Sequence, residues 1–114
     1  MIRKLMLAVS LAALLMGSAE AAFTGWQVVR AASDENPSTN PKQAFANCPA
    51  GKKVLGGGAV VGYQQGNSFP ADPNGLIFDN EPTGDYAGWQ ATAVDRTPGV
   101  SWAVIVYAIC ADVQ

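Results

Sequence analysis

Two cysteines, Cys48 and Cys110, stand 62 residues apart downstream of an export signal, and the chain contains no others. Cys48 opens the run Cys48-Pro49-Ala50-Gly51-Lys52-Lys53-Val54-Leu55-Gly56-Gly57-Gly58, and Cys110 lies in Tyr107-Ala108-Ile109-Cys110-Ala111. An exported chain folds where thiols oxidise, so pairing of the two is the expectation. Closing a loop of that length stabilises the fold by roughly 4 kcal/mol in the chain-entropy account. A domain of about 93 residues needs such help, because it buries only about 60–65% of its unfolded surface. A reactive thiol or a metal pair is the competing reading. The chain has no C-x-x-C and no histidine, which leaves both without support.

The export signal occupies residues 1–21. Arg3 and Lys4 form a basic start, and residues 5–16 are apolar apart from Ser10. Ala19-Glu20-Ala21 supplies small residues at the cleavage spacing, so cleavage is expected after Ala21, with Ala19 as the neighbouring alternative. A membrane anchor is excluded by length: twelve helical residues span about 18 Å, against a bilayer core of about 30 Å. No cysteine follows for lipid attachment. Residues 22–114 then form a single exported domain, secreted or periplasmic, with no membrane contact after cleavage.

Charge narrows the partners. The whole chain carries a formal −2, and removing Arg3, Lys4 and Glu20 leaves about −3 on the mature part. A nucleic-acid partner would need a basic stripe, and an anionic lipid surface a basic cluster; neither is present.

Hydrophobic patterning predicts an all-β fold, a small antiparallel β-sandwich or meander of about six strands closed by one disulfide. Residues 25–31 alternate as a strand, 33–41 form a polar loop, and 42–47 read as a second strand running into Cys48. Strands are further expected over 53–63, 76–81, 89–95 and 100–111. A long loop spans 64–75, and short turns fall at 82–85 and 96–99. Those two turns predict antiparallel hairpin neighbours. The last strand is apolar on both faces. Trp102, Val104, Val106, Ala108 and Cys110 alternate with Ala103, Ile105, Tyr107 and Ile109, which predicts a central strand covered on both sides.

Three groups of residues invite a functional reading. The triplet Gly56-Gly57-Gly58 fails the G-x-G-x-x-G and P-loop patterns, so close packing beneath a ring such as Trp89 or Trp102 is expected instead. Asp79 and Glu81 sit two apart on a strand, on one face, with Asp85 in the following turn. As oxygen ligands the three are weak calcium candidates. As acid and base, Asp79 or Glu81 would serve a carboxylate hydrolase acting on glycans. Solvated strand-end charge is the plainer account. Trp26 and Trp89 complete a ligand-binding set with those carboxylates, since ring faces stack on sugars; core packing is the alternative for both. Nucleophilic catalysis lacks a histidine and a free thiol, and Ser38 and Lys42 miss the S-x-x-K spacing. No cofactor is expected.

The order G-W-Q-V-V-R-A, P-K-Q-A, C-P-A-G-K-K-V-L-G-G-G-A, G-W-Q-A-T-A and V-Y-A-I-C-A resembles a family of small exported bacterial all-β domains of unsettled function. The resemblance covers nearly all of the mature chain and implies a compact antiparallel domain with its cysteines joined. It carries over no catalytic residues. The long 64–75 loop departs from the pattern and is where specific binding would reside. The functional expectation is a non-catalytic binding or structural module facing a protein or glycan. The alternatives are the carboxylate hydrolase, or an inhibitor or assembly subunit of a secreted partner.

Overall fold

The computed structural model describes residues 23–96 and 99–113. The expected export signal and its cleavage site lie outside the described residues. Six strands are present, with no helix among the described residues: β1 Phe23–Ala32, β2 Lys42–Asn47, β3 Lys52–Tyr63, β4 Gly75–Pro82, β5 Gly88–Asp95 and β6 Trp102–Val113. They form two antiparallel three-stranded sheets, ordered β1-β6-β3 and β2-β5-β4. The sheets pack face to face, β1 against β2, β6 against β2 and β5, and β3 against β5 and β4. The architecture is therefore a sandwich and not a meander.

Alternation explains the packing. In β2, Lys42, Ala44 and Ala46 are buried while Gln43, Phe45 and Asn47 are exposed. In β5 the buried row holds Ala91 and Ala93. This sheet thus presents alanines to the core. The opposing sheet supplies volume through Trp102, Val104, Val106, Cys110 and Val61. The Cys48–Cys110 disulfide joins the end of β2 to the middle sheet position of β6, with Cα atoms 5.7 Å apart. It spans the two sheets and does not link strands of one sheet system.

The glycine triplet is a packing device. A Cβ at Gly57 would stand 2.5 Å from ring carbons of Trp89 and from the Tyr107 carbonyl oxygen. One at Gly58 would collide with the Tyr107 ring and hydroxyl, whereas one at Gly56 would meet nothing within 4 Å. Two rings therefore lie across β3, one from within the sandwich and one from outside.

Two expectations are corrected. The 96–99 turn does not make a hairpin, because β5 and β6 belong to different sheets. Both edges of β6 are taken by β1 and β3, so β6 lies in the sheet facing β5 and not beside it. The 82–85 turn does join an antiparallel pair, β4 and β5. Coverage of β6 is also incomplete. Its inner row is buried, but on the outer row Ala103, Ile105 and Ala111 are buried while Tyr107 and Ile109, between them, are exposed. The reason is the 64–75 connection, which folds back over one end only. Tyr63 N–H donates to the Pro70 carbonyl at 3.1 Å, and Phe69 lies over Gly62, the register partner of Ala103.

Candidate functional site

The five sequence candidates do not converge. Asp79 and Glu81 lie on β4, an edge strand, opposite Thr92 and Gln90. Those partners alternate with buried Ala91 and Ala93, so both carboxylates belong to the outer face of the second sheet. A bulge between Ile77 and Asp79 sets that register. Glu81 Oε1 accepts from Gln90 Nε2 at 3.2 Å. Asp79 Oδ1 is shielded from solvent and accepts no hydrogen bond.

Asp85 serves its own turn. Its Oδ1 accepts from the Thr83 hydroxyl at 2.6 Å and from the Ala87 N–H at 3.1 Å. The Thr83 bond, then that of Ala87, holds the Asp85 carboxyl below the usual carboxylate value. This clasp stabilises a tight reversal in which Tyr86 adopts φ 57° and its carbonyl accepts from Val54 N–H at 3.0 Å. Among the described residues no group of three or more histidine, cysteine or acidic side chains is placed to hold a metal ion.

The tryptophans separate as well. Trp89 packs over Gly57 between the sheets and donates its Nε1–H to Asn80 Oδ1 at 2.6 Å. Trp26 is 71% exposed on β1, in the other sheet and at the opposite edge of the sandwich from β4. The acidic pair and the exposed ring therefore cannot contact one small ligand together.

A different surface emerges from the register of the first sheet. Across β1-β6-β3 its outer rows run Val28–Ile109–Gly56, Arg30–Tyr107–Gly58 and Ala32–Ile105–Val60. Val28 is 56% exposed, Tyr107 40% and Ile109 37%. Glycine at positions 56 and 58 leaves β3 without side chains there, and Tyr107 lies flat in the space. Exposed Leu55 and Trp26 flank the rows at the bulges of β3 and β1. Past Ile105 the face dips into an open depression of about 410 Å³ whose lining includes Arg30, Ala32, Glu35 and Phe69. The face is aliphatic and aromatic, with Arg30 as the charge among its central rows. Sequence reading missed it because the outer row of β6 was expected to be covered. The available signal was the glycine content of β3, which left a neighbouring strand unable to bury Tyr107.

Lys42 was missed too. Its side chain is wholly buried, and Nζ donates to the Trp102 carbonyl at 2.5 Å and the Asp34 carbonyl at 3.0 Å. It also lies 3.3 Å from Asp34 Oδ1 and 4.4 Å from the Trp102 ring centre. Asp34 itself is held below the usual carboxylate value, first by the Asn36 N–H and then by Lys42. These partners occupy the side-chain nitrogen. It pins the 33–41 loop to β6. Its position was legible, since Lys42 shares parity with Ala44 and Ala46.

No family model matches the chain, and no curated protein or solved structure matches it either.

Proposed function

We propose that this chain is an exported, non-catalytic binding module that engages a protein partner through the outer face of the β1-β6-β3 sheet. One observation carries the reading: the central strand of that sheet exposes Tyr107 and Ile109 beside exposed Val28. The outward side chains of an antiparallel sandwich are ordinarily polar, and contiguous exposed apolar surface marks an interaction site. The chemistry favours protein over glycan. Valine and isoleucine offer sugar hydroxyls no hydrogen-bond partner, and Arg30 with the Tyr107 phenol supplies few polar anchors. Apolar side chains around an aromatic ring and an arginine are the composition of interface centres. Export is supported by the signal pattern of residues 1–21 and by the paired cysteines. The absence of histidine from the chain and the engagement of both cysteines support a non-catalytic role.

The test is recovery of a partner from the exported fraction of the source cells on the mature domain, with paired variants. Val28→Asp with Ile109→Asp should abolish recovery while leaving the circular dichroism spectrum unchanged. Glu81→Gln, on the other sheet, should leave recovery intact. A partner retained by the double variant, or lost with Glu81→Gln, overturns the assignment.

A further inference from the structure

The two edges of the first sheet differ. Along β3 the outward-turned backbone is covered at both ends. Val54 N–H donates to the Tyr86 carbonyl at 3.0 Å, the Val61 carbonyl accepts from Asp72 N–H at 2.8 Å, and Tyr63 N–H donates to the Pro70 carbonyl at 3.1 Å. Along β1 the outward groups are bare. Ala32 stands opposite Ile105, and Ser33 N–H donates to the Val104 carbonyl at 3.0 Å, so odd-numbered residues from Gln27 onward turn their backbone groups toward β6. Val28, Arg30 and Ala32 therefore aim both N–H and C=O away from the sheet. Among the described residues none of these groups meets a hydrogen-bond partner.

A bare edge of this kind is a template for another extended segment. The devices that ordinarily blunt one are missing from its regular part. Residues 27–32 contain no proline and no lysine, and the β1 bulge lies before them, between Thr24 and Gln27. The edges of the second sheet are better guarded: β2 is six residues long and follows Pro41, while β4 carries a bulge in mid-strand and ends on Pro82. We propose that β1 pairs antiparallel with β1 of a second copy, fusing two three-stranded sheets into one of six strands, ordered β3-β6-β1-β1-β6-β3. An identical strand fits this edge because antiparallel pairing about a two-fold axis lets each copy supply the groups the other leaves bare.

Side chains select the register. Even positions must face even positions for the outward groups to bond. An axis through Arg30 would set two guanidiniums side by side, which is unfavourable. An axis through Val29 would set Arg30 beside Val28 and leave Trp26 without the arginine. An axis through Val28 sets that residue against its counterpart and each Arg30 opposite Trp26 of the other copy, a cation against an indole that is 71% exposed in the single copy. The outer rows then run on across the axis, bringing Val28 and Ile109 of the two copies into one apolar band. One strand per copy buries less than the about 1,200–2,000 Å² of a standard interface, so the dimer is weak and depends on concentration.

Sedimentation equilibrium of the purified, disulfide-bonded mature protein from about 1 μM to 1 mM should show monomer passing into dimer. Amide exchange reads the edge itself. The Val28 and Arg30 amides should exchange freely at the lowest concentration and slow by about tenfold or more at the highest, whereas Val29 and Ala31 are protected by β6 throughout. Arg30→Pro removes an outward donor and leaves the β6 ladder whole, because residue 30 gives nothing to it. It should raise the dimer dissociation constant at least about tenfold with the circular dichroism spectrum retained. Ile109→Asp lies on the face and not on the edge, and should leave that constant unchanged. A monomer across the whole range, a dimer that survives Arg30→Pro or is lost with Ile109→Asp, or free exchange at Val28 and Arg30 at every concentration overturns the pairing. Should Arg30→Pro fail to fold, wild-type exchange decides alone. The test contains no other protein, so its result is separate from that of the partner-recovery experiment.

Discussion

Alanine placed at each glycine of the triplet in turn should give three different outcomes from three adjacent residues. At Gly57 the added methyl would lie 2.5 Å from two Trp89 ring carbons and 2.5 Å from the Tyr107 carbonyl oxygen. Carbon contacts are comfortable at about 3.5–4.0 Å, so the deficit exceeds an ångström on both sides. Neither neighbour gives way easily. The Trp89 ring is wedged between sheets and anchored to Asn80 at 2.6 Å, and the carbonyl belongs to the β3–β6 ladder. Overpacking of this kind costs about 1–3 kcal/mol, and a backbone clash places Gly57→Ala at about 3 kcal/mol. For a domain of this size that lowers Tm by about 12–24 °C. At Gly56 the methyl meets nothing, and removing a strand glycine should gain about 0.5 kcal/mol. At Gly58 the obstacle is the far end of an exposed side chain, which can swing outward. Gly58→Ala should cost about 1 kcal/mol and increase the solvent exposure of Tyr107. Thermal unfolding by circular dichroism, with tyrosine fluorescence quenching for the last variant, reads all three. If Gly56→Ala and Gly57→Ala melt together, the ring-over-glycine account is wrong.

Replacing both cysteines by serine should cost about 4 kcal/mol in urea unfolding, the entropy of reopening the loop. Thiol titration of the native protein should find no reactive group, and two per molecule would remove the inter-sheet link. Lys42→Met should cost about 3 kcal/mol, because the Trp102 carbonyl loses its charged donor inside the sandwich and the 33–41 loop loses its pin. Wild-type stability in Lys42→Met would show that the ammonium is dispensable.

Strands were legible because their signals are local. Residues 42–47 alternate cleanly, and β2 occupies that span; the other strands fall within two residues of their expected ends. The central position of β6 followed from its two apolar faces, and the order β1-β6-β3 places it there. Assignment of strands to sheets was not legible, since a six-residue connection permits either a hairpin or an arch. What decides is competition for the two edges of β6, and that depends on β1 and β3, remote in sequence. Candidate site residues failed for a related reason. Trp89, Asp79 and Glu81 were read by chemical type, whereas a bulge at Asp79 and a glycine opposite Trp89 determine where they lie.

The exposed face and the alanine-lined core are two consequences of one arrangement. The second sheet offers Ala44, Ala46, Ala91 and Ala93, which cannot fill a sandwich by themselves. The volume must come from the inner row of β6 and from Trp89 reaching across to β3. A ring reaching β3 requires glycine at 57, and the glycines on either side of it, 56 and 58, leave the outer row of β6 unscreened. Tyr107 can then only lie over Gly58, half in solvent, with Ile109 and Val28 beside it. On that face a side chain at position 58 would displace the Tyr107 ring, while position 56 tolerates one. Gly56 is thus the single glycine of the triplet free to change on packing grounds. A bulky residue there, such as Gly56→Val, should leave the core intact and shade Ile109. In the partner-recovery assay it should weaken binding without lowering Tm, which separates a surface used for recognition from one left bare by packing alone.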